Sequence, residues 1–137
     1  MIIDAKDLLL GRMATLAAKK ALLGEQVIVI NSEHAIVSGK KSNVLARYTA
    51  KVAKGIPLRG PYFPRRADMV VRRTIRGMLP WKRAKGREAY RRVMCYIGIP
   101  EKFKDEKAVT IKEANVSKLP SLKSIKVKEL CKLLGAR

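Results

Sequence analysis

The segment Gln26-Val27-Ile28-Val29-Ile30-Asn31 constrains this chain more than any other stretch. Its apolar residues do not alternate with polar ones, so neither face is reserved for water. A short β-branched run of this kind marks a strand buried on both sides, as in a parallel sheet covered by helices. Upstream, Met1 to Asp4 reads as another short strand. Leu9 to Leu23 reads as a helix, with Leu9, Met13, Leu16, Ala17 and Leu23 near 3.6-residue spacing and Gly24 as its stop. Strand, helix and strand in about 30 residues make a βαβ unit, expected to be right-handed.

Further along, Ala35-Ile36-Val37 is a short apolar stretch ending at Ser38-Gly39. Ser42 suits the N-cap of a helix running to about Lys54, with Leu45, Tyr48 and Val52 inward. Two glycines and three prolines fall between Gly55 and Pro64, which predicts a loop or extended arm. Asp68 suits the cap of the next helix, where Val71, Ile75 and Met78 line one side and Arg72, Arg73 and Arg76 another. Pro80 ends it. A further basic helix is expected around Arg87 to Arg92, followed by Met94-Cys95-Tyr96-Ile97 as a second buried strand. Glu101 to Ala114 is mixed in charge, and Val116 to Ser124 looks loop-like. A closing amphipathic helix turns Val127, Leu130 and Leu134 inward, with Gly135 past its end. With 47% apolar residues, the chain has material for a core, and at 137 residues it can bury roughly two-thirds of its unfolded surface. Strands lie on both sides of the middle. The expectation is one α/β domain over residues 1–137, with 55–92 a basic arm and helices inserted within it.

That middle carries the charge. From Lys54 to Arg92 thirteen lysines and arginines face only Asp68 and Glu88, a net +11 on 39 residues, over half of the chain's +20. Such density costs self-repulsion unless a polyanion neutralises it, and nucleic acid is the first candidate. An aromatic share of 5% is too small for a binder made of successive stacking platforms, whereas forks and point charges aimed at phosphates fit. Arg72, Arg73 and Arg76 form a row that can track a phosphate backbone; the plainer reading is a solvated helix face. In Arg59-Gly60-Pro61-Tyr62-Phe63-Pro64-Arg65-Arg66 the prolines limit the entropy lost on docking, Gly60 permits close backbone approach, and the arginines meet phosphates. Tyr62 and Phe63 either stack on a splayed base or cover the core beneath the loop. Lys40 and Lys41, with the N-terminus of the helix that follows, are candidates for RNA-backbone contact.

No catalytic or metal constellation emerges. Ser38-Gly39-Lys40-Lys41-Ser42 misses the nucleotide-binding P-loop twice, because His34 and Lys41 occupy positions that need Gly and Ser or Thr. Leu10-Gly11-Arg12 lacks the dinucleotide fingerprint. His34 is the only histidine, so a structural role is expected of it rather than catalysis or metal binding. Asp4 is read as a partner for a local arginine or a cap of the following loop. Cys95 and Cys131 have no C-x-x-C partner, so neither a disulfide nor a zinc site is expected, and a reducing cytoplasm is the natural setting. Both are expected to pack as small apolar residues. Neither a basic-then-apolar leader nor an apolar run of 18 residues occurs, so secretion and membrane spanning are not expected. Cofactors, metals and small-molecule substrates are likewise not expected.

Ile3-Asp4-Ala5, Leu10-Gly11-Arg12, Val29-Ile30-Asn31, Ser38-Gly39-Lys40, Arg59-Gly60-Pro61, Arg76-Gly77-Met78-Leu79-Pro80 and Gly98-Ile99-Pro100 occur in a set order. That order and spacing resemble the ribosomal protein L13 family, a universal component of the large ribosomal subunit. The resemblance covers nearly the whole chain, and Gly-Met-Leu-Pro after the basic helix is its most specific motif. The Arg-Gly-Pro arm is similar to archaeal and eukaryotic members, and the compact length to archaeal ones. Gly98-Ile99-Pro100 stands where the bacterial type carries a histidine-containing end of the strand region. The resemblance implies a three-layer α/β/α fold with a small, mostly parallel sheet of about four strands, plus the basic arm and helices. It also implies a structural constituent of the cytoplasmic ribosome, not an enzyme. Such a protein binds and positions large-subunit rRNA during assembly and in the mature particle, beside neighbouring large-subunit proteins. The family's RNA-facing positions carry over to Arg59, Arg65, Arg66, Arg72, Arg73, Arg76, Lys82, Arg83, Lys85 and Arg87. Gly77 is expected to relieve crowding at the turn between two basic segments, and Pro80 to force the stop. Trp81 either wedges against RNA or packs on the domain. Two rivals stand beside this reading: a phosphate-handling enzyme acting on RNA or nucleotide through Asp4, His34 and Lys40, and a non-ribosomal RNA-binding regulator.

Overall fold

In the computed structural model, which describes residues 1–56, 58–121 and 123–136, ten main elements follow one another. They are β1 (Ile2–Asp4), α1 (Leu10–Leu22), β2 (Val27–Ile30), β3 (Ile36–Ser38), α2 (Lys41–Ala53), α3 (Ala67–Gly77), α4 (Ala84–Arg91), β4 (Val93–Cys95), β5 (Ser124–Lys126) and α5 (Val127–Leu133). Pro57 of the expected arm and Leu122 of the expected loop lie outside the described residues.

The apolar run forms the middle of a parallel sheet ordered β1-β2-β4, with Ile3 opposite Val29 and Val29 opposite Cys95. Val109 adds a one-residue parallel rung outside β1, its N–H donating to the Ile2 carbonyl at 2.9 Å. Because side chains alternate across a strand, Ile3, Val27, Val29 and Val93 share one face, and all four are fully buried. Ile28 and Met94, on the opposite face, are half-buried. The fold is thus a small α/β fold with parallel strands, as expected.

Helix α1 presents Leu10, Met13, Ala14, Ala17, Ala18 and Ala21 to the core. Its alanines carry little bulk, so α3 and α4 pack directly on it. Leu23, expected on that inner face, falls past the helix end and is 70% exposed. In α3 the buried residues are Ala67, Val70, Val71 and Ile75. Met78, expected to extend that stripe, is the residue after the helix and is 41% exposed. One apolar cluster joins β1, α1, β2, α3, β4 and α5.

Two helix starts differ from expectation. α2 begins at Lys41 with Lys40 at the cap and no side-chain capping bond, while Ser42 Oγ faces Asn43 Oδ1 at 3.4 Å. α3 begins at Ala67, which places Asp68 inside the first turn instead of at the cap. There its charge favours the positive end of the helix, and its Oδ2 accepts from Arg66 Nη2 at 2.9 Å. The stretch expected to be loop-like ends in a strand, since β5 pairs antiparallel with β3, Val37 opposite Ile125. Asp4 is the loop cap: its Oδ1 accepts from Lys6 N at 3.0 Å and from Asn31 Nδ2 at 2.9 Å, with no arginine partner among the described residues.

Candidate nucleic-acid interface

The arginines of α3 do not stand free in solvent. Arg72, Arg73 and Arg76 are half-buried, and each guanidinium lies over an aromatic ring. Arg72 sits 4.5 Å from the Tyr90 centroid, Arg73 4.8 Å from Phe63, and Arg76 5.1 Å from Trp81. The rings brace one another edge to face, Trp81 on Tyr90 at 5.0 Å and Phe63 on Tyr48 at 5.9 Å. The expected exposed row is therefore a set of stacked cations held by three other segments: the arm, the turn after α3, and α4. Each such contact stabilises by about 0.5–1 kcal/mol near water and ~2 kcal/mol when desolvated.

Stacking engages only the flat face of a guanidinium. Its N–H groups lie in the plane, so a guanidinium over a ring keeps donors for an anion; at Arg72 the Nε is buried with no hydrogen-bond partner among the described residues. Arg73 commits one of these donors, Nη1, to the Tyr62 carbonyl at 3.2 Å, which ties the arm to α3. Holding the side chains in advance lowers the entropy lost when a phosphate arrives.

The rings resolve unequally. Phe63 is half-buried against Tyr48 and covers the core. Trp81 packs on Tyr90 yet keeps 40% of its surface, and Tyr62 keeps 69%.

The turn works through a different glycine from the one expected. A Cβ added at Gly77 would meet nothing within 4 Å, so Gly77 relieves no crowding. At Gly86, on α4, a Cβ would lie 2.1 Å from the Pro80 carbonyl oxygen. The close approach that matters is α4 on the Pro80-Trp81 peptide, which brings Tyr90 and Trp81 together. At the arm's root Ile56 and Gly60 form an antiparallel bridge. Gly55 lies just before it with φ +93°, and a Cβ there would lie 2.1 Å from the Gly60 oxygen, so both backbone angle and space require glycine.

Arg59, Arg65, Arg66, Lys82, Arg83, Lys85 and Arg87 are exposed. Among the described residues, one of the thirteen cations between Lys54 and Arg92 is ion-paired, Arg66 with Asp68. Lys40 and Lys41 lie apart, at the head of α2, about 15 Å along that helix from Lys51. Lys41 is held by Glu129 of α5. Arg47 and Lys51, which the sequence reading passed over, flank Tyr48 at 5.5 and 5.1 Å, and Lys51 also reaches Phe63. Their i, i+4 spacing around a buried tyrosine was the available signal.

Of the three groups considered for catalysis, Asp4 and His34 are engaged elsewhere. Asp4 is taken by Asn31 and a backbone N–H, and His34 Nε2 faces Glu33 Oε1 at 3.5 Å. Glu33 in turn accepts the Gly98 N–H with both oxygens at 3.1 Å. Burial pushes the Cys95 thiol up to about 12 and Cys131 to about 11, so both stay protonated at neutral pH. Among the described residues no group of three or more His, Cys, Asp or Glu can hold a metal, and no helix is long and apolar enough to cross a membrane.

A sequence model of the family described as ribosomal protein L13 matches residues 1–102. The chain is 42% identical over 137 residues to large ribosomal subunit protein uL13 of Methanosarcina barkeri, covering 99% of this chain and 98% of that one. It is 42% identical over 136 residues to uL13 of Methanopyrus kandleri, covering 98% and 86%. To uL13 of Archaeoglobus fulgidus it is 39% identical over 137 residues, covering 99% and 88%.

Proposed function

The chain belongs to the ribosomal protein L13 family, in its archaeal branch, and from that premise we propose that it binds large-subunit rRNA through the arm, α3 and α4. The observation that carries the reading is the uncompensated charge: among the described residues, twelve of the thirteen cations between Lys54 and Arg92 have no carboxylate within ion-pair distance. A protein surface that faced only water would gain by pairing them. RNA phosphates supply the missing anions and release counterions as they do so. In this reading Arg72, Arg73 and Arg76 offer pre-positioned forks, Arg59, Arg65 and Arg66 follow from the arm, and Lys82, Arg83, Lys85 and Arg87 extend the contact along α4. Lys40 and Lys41 form a second, smaller contact at the head of α2, where Lys41 exchanges Glu129 for phosphate.

The work is positioning, during assembly and in the mature particle, without turnover. Residues 1–137 serve as one domain, and the segment 55–92 is its RNA-facing insertion. The cations let RNA segments that repel one another approach, and the α/β body fixes their relative angle. Shape is read more than sequence, because A-form grooves hide most base edges. The site of action is the cytoplasmic ribosome, beside neighbouring large-subunit proteins. Crosslinking in intact cells, with peptide and nucleotide both identified, tests this. The expected adducts join peptides from residues 59–92 to large-subunit rRNA. Recovery on messenger RNA without subunits would establish a regulator instead, and nucleotide turnover lost in His34→Ala would establish an enzyme.

A further inference from the structure

Three elements enclose a cleft of about 320 Å³ on the proposed RNA-facing surface. Tyr62 and Phe63 of the arm form one wall, Met69, Arg73 and Arg76 of α3 the other, and Tyr90 of α4 closes it. We propose that this cleft receives one unpaired nucleotide of the bound RNA, its base stacked on the Tyr62 ring and its phosphate on Arg73 and Arg76. The proposal rests on the rRNA-binding reading and adds a subsite to it.

Shape and charge select this occupant. Phe63 and Tyr90 already carry Arg73 and Arg72, so Tyr62 is the ring the cleft presents, while the polar groups that α3 contributes are guanidinium donors, which have no acceptor atom. An occupant must therefore be flat, apolar on its faces and anionic at its edge. A nucleotide combines these features; an apolar side chain from a neighbouring protein would leave both guanidiniums without an anion. The arm is shaped to present the ring. Gly60 has φ +77°, and a Cβ there would lie 3.2 Å from two carbons of the Tyr62 ring, so the ring lies against the glycine's bare α-carbon.

The test uses full-length protein and deproteinised large-subunit rRNA. Affinity is measured over a salt series for the parent, Tyr62→Ala and Tyr62→Phe, together with ultraviolet crosslinking of the parent complex. Tyr62 is 69% exposed, and circular dichroism of each variant checks that the fold is kept. Loss of one stacked base is expected to weaken binding roughly 5- to 150-fold at every salt concentration. The salt slope should stay constant, since no phosphate contact is removed, and Tyr62→Phe should bind like the parent. The crosslink should join Tyr62 to a nucleotide that is unpaired in the RNA fold. Unchanged affinity in Tyr62→Ala, a reduced slope, or a Tyr62 crosslink to protein in whole subunits would overturn the subsite while leaving the broader reading in place. Failure of the parent protein to bind the RNA would overturn both.

Discussion

Two glycines nine residues apart should respond to the same substitution with opposite sign. At Gly86 an added methyl would lie 2.1 Å from the Pro80 oxygen and 2.4 Å from its carbonyl carbon, where real contacts fall below 3.0 Å essentially never. Both clashing atoms are backbone, so relief requires α4 to move about 1 Å off the turn. Such overpacking costs about 1–3 kcal/mol, against which the helix-propensity gain of alanine over glycine is about 0.8–1 kcal/mol. Because no flexible side chain can absorb the shift, the upper part of the range applies and Gly86→Ala should lose about 2 kcal/mol net. That corresponds to a midpoint lowered by roughly 6–8 °C for a chain of this size. At Gly77 the methyl meets nothing, the residue closes α3, and alanine should stabilise by about 0.5 kcal/mol. Urea unfolding of both variants against the parent, at a common slope, measures the contrast. If Gly86→Ala is as stable as the parent within about 0.5 kcal/mol, the packing of α4 on the Pro80 carbonyl is not as described.

Replacing Arg72, Arg73 and Arg76 together with alanine should lower the salt slope of rRNA binding by roughly 2–3, at 0.7–0.9 per phosphate contact; an unchanged slope would remove α3 from the interface. The unfolded chain releases a thiol proton near 9, whereas the folded chain holds it to about 12 at Cys95 and about 11 at Cys131. Above pH 9 the unfolded state thus binds fewer protons, and stability is lost progressively up to those values, by at most ~1.4 kcal/mol per pH unit per thiol. Urea midpoints compared between pH 8 and 10 should fall less in a Cys95→Ala, Cys131→Ala double variant, and an equal fall would contradict the assignment. The Lys41–Glu129 pair is about half exposed on both sides, so Glu129→Gln should shift stability by less than about 1 kcal/mol in the same assay; a loss twice that size would show it to be structural.

Much of the α/β body was legible because its signals are local. The β-branched run from Val27 to Ile30 allows only a two-sided burial, and the 3.6-residue spacing of α1 and α5 names their inner faces within single segments. The charge of the interface was legible for the same reason, since a run of arginines needs no partner to be counted. What the linear chain did not disclose were properties of pairs. β5 holds a single buried residue, Ile125, and becomes a strand only through β3, far earlier in the chain. Gly86 is critical because another segment's carbonyl arrives against it, whereas a methyl added at Gly77, inside the more distinctive motif, would meet nothing within 4 Å.

The interface divides along the same line. Sequence alone determined that a dense positive surface sits on a parallel α/β body, because composition and periodicity are summed residue by residue. Only the tertiary structure decided that Arg72, Arg73 and Arg76 each lie on a ring from a different segment, and that the arm and α3 leave a cleft between them. Those arrangements depend on how the arm, the turn and α4 close around α3, and closure is set by long-range packing that no short window of residues contains.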